Sequence, residues 1–423
     1  MIDKKSTILV LSDHPLSPSG VGTQTKYMIE AMLKTGKYRF VCLGGAMKHE
    51  NYTPVKVTPW DEDWIIYPVD GYGSQDAIRN FLINYKPDIL WFMTDPRFYG
   101  WLWEIENEVR AVTPMVYYHV WDNLPYPDYN KPWYESNDLI ASISKVTSDI
   151  VRTVAPDVKE VYLPHAVDTN IFKTLDPKDV SNFRKSTVLG ANENKEKLIF
   201  FWNNRNARRK MSGSLLWWFK EYLDKVGHDK ASLVMHTDPK DMHGQDLIAI
   251  MTRLGLTNGQ VMISKDKLPA EHLAMMYNMA DCTINISDAE GFGLATFESL
   301  SCGTPIIVNM TGGLQEQVTD GENWFGIGIE PASKAIIGSQ QVPYIYEDRV
   351  SKSDFIDSLV KFTNMSKDER AAMGAAGREH ILKNYSMESF AETWDKVFTQ
   401  VIEENGSWNT RKNYKSWEFI EIT

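Results

Sequence analysis

The sequence predicts an α/β protein built from two parallel-sheet domains, and three observations carry that expectation. First, short apolar runs such as Thr7–Leu11, Ile89–Met93 and Cys282–Ile286 alternate with helical stripes such as Trp101, Leu102, Ile105 and Val109. Short uninterrupted apolar runs between helices read as parallel strands covered on both faces. Second, the polar stretch Asp176–Glu196 interrupts the alternation, which then starts afresh. Third, glycine-bearing turns follow several strands and open helices, the pattern of βαβ units whose helix N-termini face a ligand. The expected division is 1–183, 184–385 and a C-terminal helix and tail at 386–423, with the helix returning to the first domain.

In chain order, Thr7–Leu11 is the first strand, and the loop Ser12–Gly22 leads into a helix from about Thr23 carrying Tyr27, Met28, Ala31 and Met32 on one face. Gly20-Val-Gly22-Thr-Gln-Thr25 begins like a dinucleotide fingerprint but lacks its third glycine. The next strand, Arg39–Leu43, ends in Gly44-Gly45 without an acidic residue for a ribose, which argues against NAD. Asp61-Glu62-Asp63 has the short Asp-x-Asp form of some metal sites, but no buried strand precedes it, and it reads as a solvated turn. Ile78, Phe81, Leu82 and Tyr85 form a helical stripe before the strand Ile89–Met93, and Met115–Asp122 and Leu139–Ile143 supply further strands. His119 falls at the carboxyl end of its strand, where open α/β sheets bind ligands.

The second alternation places strands at Leu198–Trp202, Ser232–His236, Val261–Ile263, Cys282–Ile286, Pro305–Asn309 and Phe325–Ile329. Helices are expected at Lys352–Asn364, Lys367–Asn384 and Met387–Glu404. Its centre is the strand ending at Ile286, the loop Asp288-Ala-Glu290-Gly291-Phe292-Gly293 and the helix Leu294–Cys302, stopped by Gly303 before Pro305. Gly291 and Gly293 allow a ligand close to the backbone, and Glu290 and Glu298 flank the helix N-terminus. An anion held there would have a carboxylate acceptor on each side, which suits a nucleotide sugar. After the strand Leu198–Trp202 comes the run Arg205-Asn-Ala-Arg208-Arg209-Lys210, four cations in six residues. It sits at a strand's carboxyl end in the same sheet.

Composition narrows the function classes. The 423 residues are 43% hydrophobic and 24% charged, ordinary for a globular protein. A formal net charge of −11 argues against a large nucleic-acid face. Cys42, Cys282 and Cys302 are an odd set without a CxxC pair, all in predicted buried elements, and suggest reduced thiols in a cytoplasmic setting. The N-terminal Met1–Ser6 precedes a strand-length apolar run, not a signal peptide, and no apolar run reaches membrane-spanning length. The 14 Trp and 19 Tyr supply many flat faces, and Trp91, Trp101, Trp103 and Trp121 are candidates to stack on an acceptor.

The string Glu290-Gly-Phe-Gly-Leu294…Glu298-Ser…Cys302-Gly-Thr-Pro-Ile-Ile resembles the Glu-x7-Glu signature of retaining glycosyltransferases, especially glycosyltransferase family 4 (glycosyl transferases group 1). The resemblance runs from Leu198 to about Tyr385 and is diffuse before that. It implies the GT-B architecture of two Rossmann-like domains facing across a cleft. It also implies a nucleoside diphosphate sugar (UDP- or GDP-sugar) as donor, a hydroxyl acceptor, retention of configuration and no metal or other cofactor. In that reading Arg205 and Lys210 meet the donor diphosphate, Glu298 the ribose hydroxyls, and Glu290 and His119 the sugar. Gly291, Phe292, Gly293 and Leu294 form the donor loop, and Gly313 lies near the phosphates within Gly312-Gly313-Leu-Gln-Glu316.

Three segments depart from the family pattern or read two ways. Gly20 and Gly22 either line the donor cleft or form a turn needing positive φ. Leu268, in Lys267-Leu268-Pro269, either marks the nucleobase segment or precedes a helix start. His165-Ala166 stands where the family has Asn-Gly. The acceptor is open among glycan, lipid head group, metabolite and modified base. Rival readings are another GT-B enzyme, such as an epimerase or a phosphorylase, and a nucleotide-sugar-binding protein without catalysis.

Overall fold

The computed structural model describes residues 5–189 and 197–417. The first residues of the chain, the 190–196 part of the expected linker and the end of the tail lie outside the described residues. The chain divides into two compact units, one of Met1–Ala166, Ser339–Pro343 and Met387–Thr423, the other of Val167–Gly338 and Tyr344–Ser386. The change of unit at Ala166 precedes the expected 183/184 boundary. Side-chain bonds tie 172–175 to the second unit: Ser301 Oγ donates to the Phe172 carbonyl (2.6 Å), and Asn278 bonds both the Lys173 carbonyl and the Leu175 amide (2.9 Å each).

The first unit holds an eight-stranded sheet. Its strands are β1 (Ser6–Asp13), β2 (Tyr38–Gly45), β3 (Val55–Val57), β4 (Asp61–Pro68), β5 (Ile89–Met93), β6 (Met115–His119), β7 (Leu139–Ser142) and β8 (Glu160–Tyr162). The order is β3-β4-β2-β1-β5-β6-β7-β8, and every pair except β3–β4 is parallel. Ile8–Leu11 and Ile89–Phe92 have no exposed surface, as a sheet covered on both faces requires.

Three local expectations are corrected here. Asp61–Asp63 is solvent-accessible but opens β4 rather than forming a turn, and Asp63 pairs with Lys5 (2.5 Å). The first helix begins at Gly20, so Gly20 and Gly22 are its first turn, and neither has positive φ. Ser19 Oγ caps that turn by accepting from the Gly22 amide (2.9 Å), and a side chain at Gly22 would strike the His14 carbonyl (2.8 Å from an added Cβ). The stripe Trp101–Val109 forms two short helices, Gly100–Trp103 and Glu106–Arg110, because Ile105 (φ −112°) leaves helical geometry.

The C-terminal helix Met387–Asn405 is part of this first unit. Trp394 packs against Trp91 and Tyr118 with ring centroids 5.8 and 5.0 Å apart, and Tyr38 donates to Asp395 (2.8 Å). The tail that the sequence left unassigned is docked on the same unit. Trp408 donates to the Val112 and Pro87 carbonyls (2.6 and 3.1 Å), and Arg411 pairs with Asp138 (2.8 Å), both side chains about 5% exposed or less.

The second unit has six parallel strands: β9 (Leu198–Asn203), β10 (Ala231–His236), β11 (Val261–Ser264), β12 (Cys282–Asn285), β13 (Ile306–Asn309) and β14 (Gly326–Ile329). Their order, β11-β10-β9-β12-β13-β14, is the doubly wound 3-2-1-4-5-6 arrangement. The order reverses between β9 and β12, so the loops after these two strands flank the switch point where such sheets bind ligands. A two-stranded antiparallel hairpin, β15 (Ser333–Ile337) and β16 (Ile345–Arg349), follows β14; it was not foreseen. All three cysteines are buried free thiols. No helix among the described residues is long and apolar enough to cross a membrane.

Candidate donor site in the second unit

The two loops at the switch point carry the expected charged residues, and they meet. After β9 the chain forms a short 3-10 turn, Arg208–Lys210, then the helix Ser212–Val226, with Met211 between them in the left-handed region (φ 58°). A non-glycine residue there costs of order 1 kcal/mol or more, and such strain gathers at functional turns. After β12 comes the loop to Gly293, whose φ of 92° starts the helix Leu294–Ser301. Lys210 Nζ donates to Glu290 Oε2 in an ion pair, with the two residues 7% and 8% exposed. Asn285 Nδ2 adds a bond to the same carboxylate oxygen (3.2 Å). Burial pushes the Glu290 carboxyl up, but Lys210, Arg209 and the Lys210 and Asn285 hydrogen bonds outweigh it and hold it at about 2. Glu290 is therefore an anion throughout the physiological range.

Glu298, partly buried on the helix, behaves oppositely. Burial pushes its carboxyl up to about 7, offset only in part by Tyr277, whose hydroxyl donates to Oε2 (2.7 Å). Tyr277 in turn accepts from Asn203 Nδ2 (2.8 Å), which links the end of β9 to the helix carrying Glu298. The two glutamates, eight residues apart, are thus moved in opposite directions by their surroundings, Glu290 down and Glu298 up.

The second glycine turn presses on the first. A Cβ on Gly313 would lie 2.7 Å from Phe292 Cα and 2.8 Å from the Gly291 carbonyl, so only glycine permits this approach. The Gly313 amide donates to the Glu290 carbonyl (3.1 Å), and Gln317 Nε2 donates to the Phe292 carbonyl (2.6 Å). The Phe292 ring packs against Phe297 (4.9 Å) and Tyr385 (6.2 Å), so its part in the loop is packing. Arg205 lies apart from the buried pair, 62% exposed at its side chain, and makes a two-point pair with Asp241 (2.7 and 3.3 Å). Leu268 precedes the helix Ala270–Met279, with Pro269 at its cap position, so the helix-start reading holds for this segment.

The remaining candidates belong to the first unit, described separately. His119 is fully buried, with Nε2 bonded to the Tyr134 hydroxyl (2.8 Å) and Nδ1 without a partner among the described residues. Burial lowers it to about 3, so the ring is neutral. His165 is also buried, bonded to Tyr118 (2.8 Å) and lowered to about 3 for the same reason. Among the tryptophans, Trp91 has no exposed surface, while Trp103 and Trp121 are 5% exposed. Trp103 stacks on Trp133 (5.5 Å) and Trp121 donates to the Asn123 carbonyl (2.9 Å). These three are core residues rather than open platforms, and Trp101 is partly exposed. Aromatic density in the sequence could not separate the two roles, because burial is set by the fold.

Sequence reasoning gave no partner to Arg208 or Arg209. Arg208 pairs with Glu347, and Arg209 Nη1 donates to the Ala289 carbonyl (2.5 Å), so both are tied to the donor loop's surroundings. It also missed Tyr277, Gln317 and Asp288. Asp288 is 1% exposed with one carboxyl oxygen unpartnered among the described residues, and burial, then Glu347, pushes it up to about 6. No group of three or more His, Cys, Asp or Glu side chains able to hold a metal ion occurs among the described residues.

Comparison with known proteins agrees with this architecture. Residues 191–358 match the family described as glycosyl transferases group 1. A D-inositol 3-phosphate glycosyltransferase from Corynebacterium jeikeium is 29% identical over 31% of the chain, and that match spans about a quarter (26%) of the relative's length. A GDP-mannose-dependent α-(1-6)-phosphatidylinositol monomannoside mannosyltransferase from Mycobacterium tuberculosis is 27% identical over 61% of the chain and 60% of its own. Among solved structures, a sucrose-phosphate synthase from Thermosynechococcus elongatus superposes with a TM-score of 0.74 at 16% identity, covering 94% of this chain and all of its own. The chain therefore has the GT-B fold, and its residues 191–358 are similar to the glycosyl transferases group 1 family.

Proposed function

We propose that the protein transfers a sugar from a nucleoside diphosphate sugar to a hydroxyl acceptor, with retained anomeric configuration and without a metal ion. The observation that carries the reading is the Lys210–Glu290 pair: an ammonium and a carboxylate, brought from two strand ends to one point beside a glycine-framed helix N-terminus. Lys210 and Arg205 offset the negative charge that grows on the departing diphosphate. Glu290 accepts hydrogen bonds from sugar hydroxyls, and Glu298 accepts from the ribose. The glycosidic C–O bond breaks as the acceptor oxygen bonds to the anomeric carbon on the same face. The acceptor proton passes to a phosphate oxygen of the leaving diphosphate.

The names of the relatives favour a GDP-hexose donor and a polyol or lipid head-group acceptor. Free buried cysteines fit a cytoplasmic setting. The test is a thermal-shift panel of UDP, GDP and their sugars, followed by proton NMR of the product formed from the best donor. Ligand that binds the folded state raises the melting temperature. The proposal expects a stabilising nucleotide and an α product from an α donor. No stabilisation by any nucleotide, or an inverted product, overturns it.

A further inference from the structure

We propose that the hairpin β15–β16 is a positioning element for the donor loop, with Glu347 as its central positioning residue. This inference rests on the function proposed above. The hairpin forms a sheet of its own, yet its second strand is fixed to the carboxyl ends of β12 and β13. The Asp348 amide donates to the Asp288 carbonyl (2.9 Å), its carbonyl accepts from Asn309 Nδ2 (2.6 Å), and its carboxylate accepts from Thr311 Oγ1 (2.8 Å). Asn309 Nδ2 also donates to the Ser287 carbonyl (2.8 Å). One residue of β16 thereby joins the loop after β12 to the end of β13 and the loop that follows it.

Glu347, its neighbour, is 2% exposed, which a two-stranded hairpin at a surface does not require. A buried carboxylate is tolerated only when paired. Its partners are Arg208 on one oxygen and Arg349 on the other. Arg208 opens the same three-residue turn that ends in Lys210. On the far side of that turn, Arg209 donates to the Ala289 carbonyl (2.5 Å) and its own carbonyl accepts from the Asp288 amide (2.8 Å). The backbone from Asp288 to Glu290 is therefore held between the hairpin and the cationic turn. Glu347 fixes the turn to the hairpin, and the loop, the turn and the hairpin close a ring of bonds that includes the segments carrying Lys210 and Glu290.

A group of this kind acts through the placement of Lys210 and Glu290, and small misplacements at a reacting centre can cost about 10²-fold in rate. The experiment is a double-mutant cycle on Glu347→Ala and Arg208→Ala, with Glu347→Gln as a variant that keeps size and hydrogen bonding. Turnover of the best nucleotide sugar is measured for each, per mole of nucleoside diphosphate bound, so that unfolded protein does not enter the rate. The inference expects kcat to fall about 10–100-fold in Glu347→Ala with the donor KM within about threefold of the parent. Glu347→Gln should lie between, and the double variant should be no slower than the slower single, because both changes break one link. Unchanged kcat in both Glu347 variants, or losses that multiply in the double variant, overturns it. If the parent protein turns over no nucleotide sugar, the proposed function fails; if the parent is active and the Glu347 variants match it, only the hairpin's role fails.

Discussion

Lys210 and Glu290 neutralise one another in an almost wholly buried ion pair, while Arg205, itself largely in solvent, pairs with an Asp241 carboxylate that also accepts from the His243 amide (2.9 Å). The two cations assigned to the diphosphate therefore differ in what their loss does to the folded chain. Removing one partner of a buried pair leaves an uncompensated charge and costs about 3–5 kcal/mol, whereas an exposed pair is worth about 0–1 kcal/mol. Lys210→Ala should lower the denaturant midpoint clearly and Arg205→Ala hardly at all, by equilibrium unfolding. Equal small effects would mean that the pair is not buried as described.

The Glu290 carboxyl, held at about 2, is depressed below its ordinary 4.5. It therefore contributes stability above pH about 4.5, lost as pH falls toward 2. Glu290→Gln should flatten the acid limb of the stability–pH curve across that window. An unchanged acid limb would place the Glu290 carboxylate in ordinary solvent.

Glu298 has the opposite sign. Its carboxyl, raised to about 7, favours the folded state below pH 4.5, and that contribution is lost as pH rises through 7. In the proposed function the ribose is bound by the carboxylate, so kcat/KM for the donor should rise with pH through about 7, reporting the free enzyme. Tyr277→Phe removes the hydroxyl that favours the carboxylate and should move this rise to higher pH. Glu298→Gln should abolish it and act mainly on KM, since ribose hydroxyls do not change charge during reaction. A kcat/KM profile flat from pH 5 to 8 in the parent would contradict this.

Arg411 and Asp138 form a second buried pair, tying the tail to the first unit. Arg411→Ala should cost about 1.5–3 kcal/mol, because Arg110 (3.2 Å) stays paired with Asp138. The exposed Lys220–Asp224 pair serves as control, and Lys220→Ala should cost about 0.5 kcal/mol or less. Equal losses by thermal unfolding would contradict the docking of the tail.

Much of this was legible in the sequence because it depends on local pattern. Apolar runs such as Phe200–Trp202 and Ile306–Val308 read as buried strands, and the glycines at 293 and 313 mark turns that a side chain would block. The Glu-x7-Glu spacing placed Glu290 and Glu298 about one loop and one helical turn apart. What escaped depends on three-dimensional context. Strands β3, β15 and β16 are short, and several of their residues are exposed, so they lack an apolar run. The opening of β4 at Asp61 was hidden by its charges. Arg208 and Glu347, 139 residues apart, meet only through the fold. Trp91 and Trp101 look alike in sequence, and only packing against Trp394 makes the first a core residue. Tyr277 reads as one more helical aromatic until its hydroxyl is seen between Asn203 and Glu298.

Metal independence is open to a simple check. With Lys210 and Arg205 in place of an ion, excess chelator should leave donor turnover within about twofold. Loss of most activity, restored by Mn²⁺ or Mg²⁺, would refer the chemistry to a metal site and reopen the role of Asp61-Glu62-Asp63.

The most direct measurement is nucleoside diphosphate release from a panel of UDP- and GDP-sugars by the parent protein and by Arg205→Ala. Arg205 is the better variant because the Asp241 carboxylate it leaves behind keeps the His243 amide as a donor (2.9 Å). The account predicts that at least one donor is cleaved by the parent, and that kcat falls about 10²–10³-fold in Arg205→Ala, the loss of roughly 3–4 kcal/mol expected when one contact to a developing charge is removed. Release from no donor, or an Arg205→Ala rate equal to the parent's or altered only in KM, would contradict the assignment of the Arg205–Lys210 turn to the donor diphosphate.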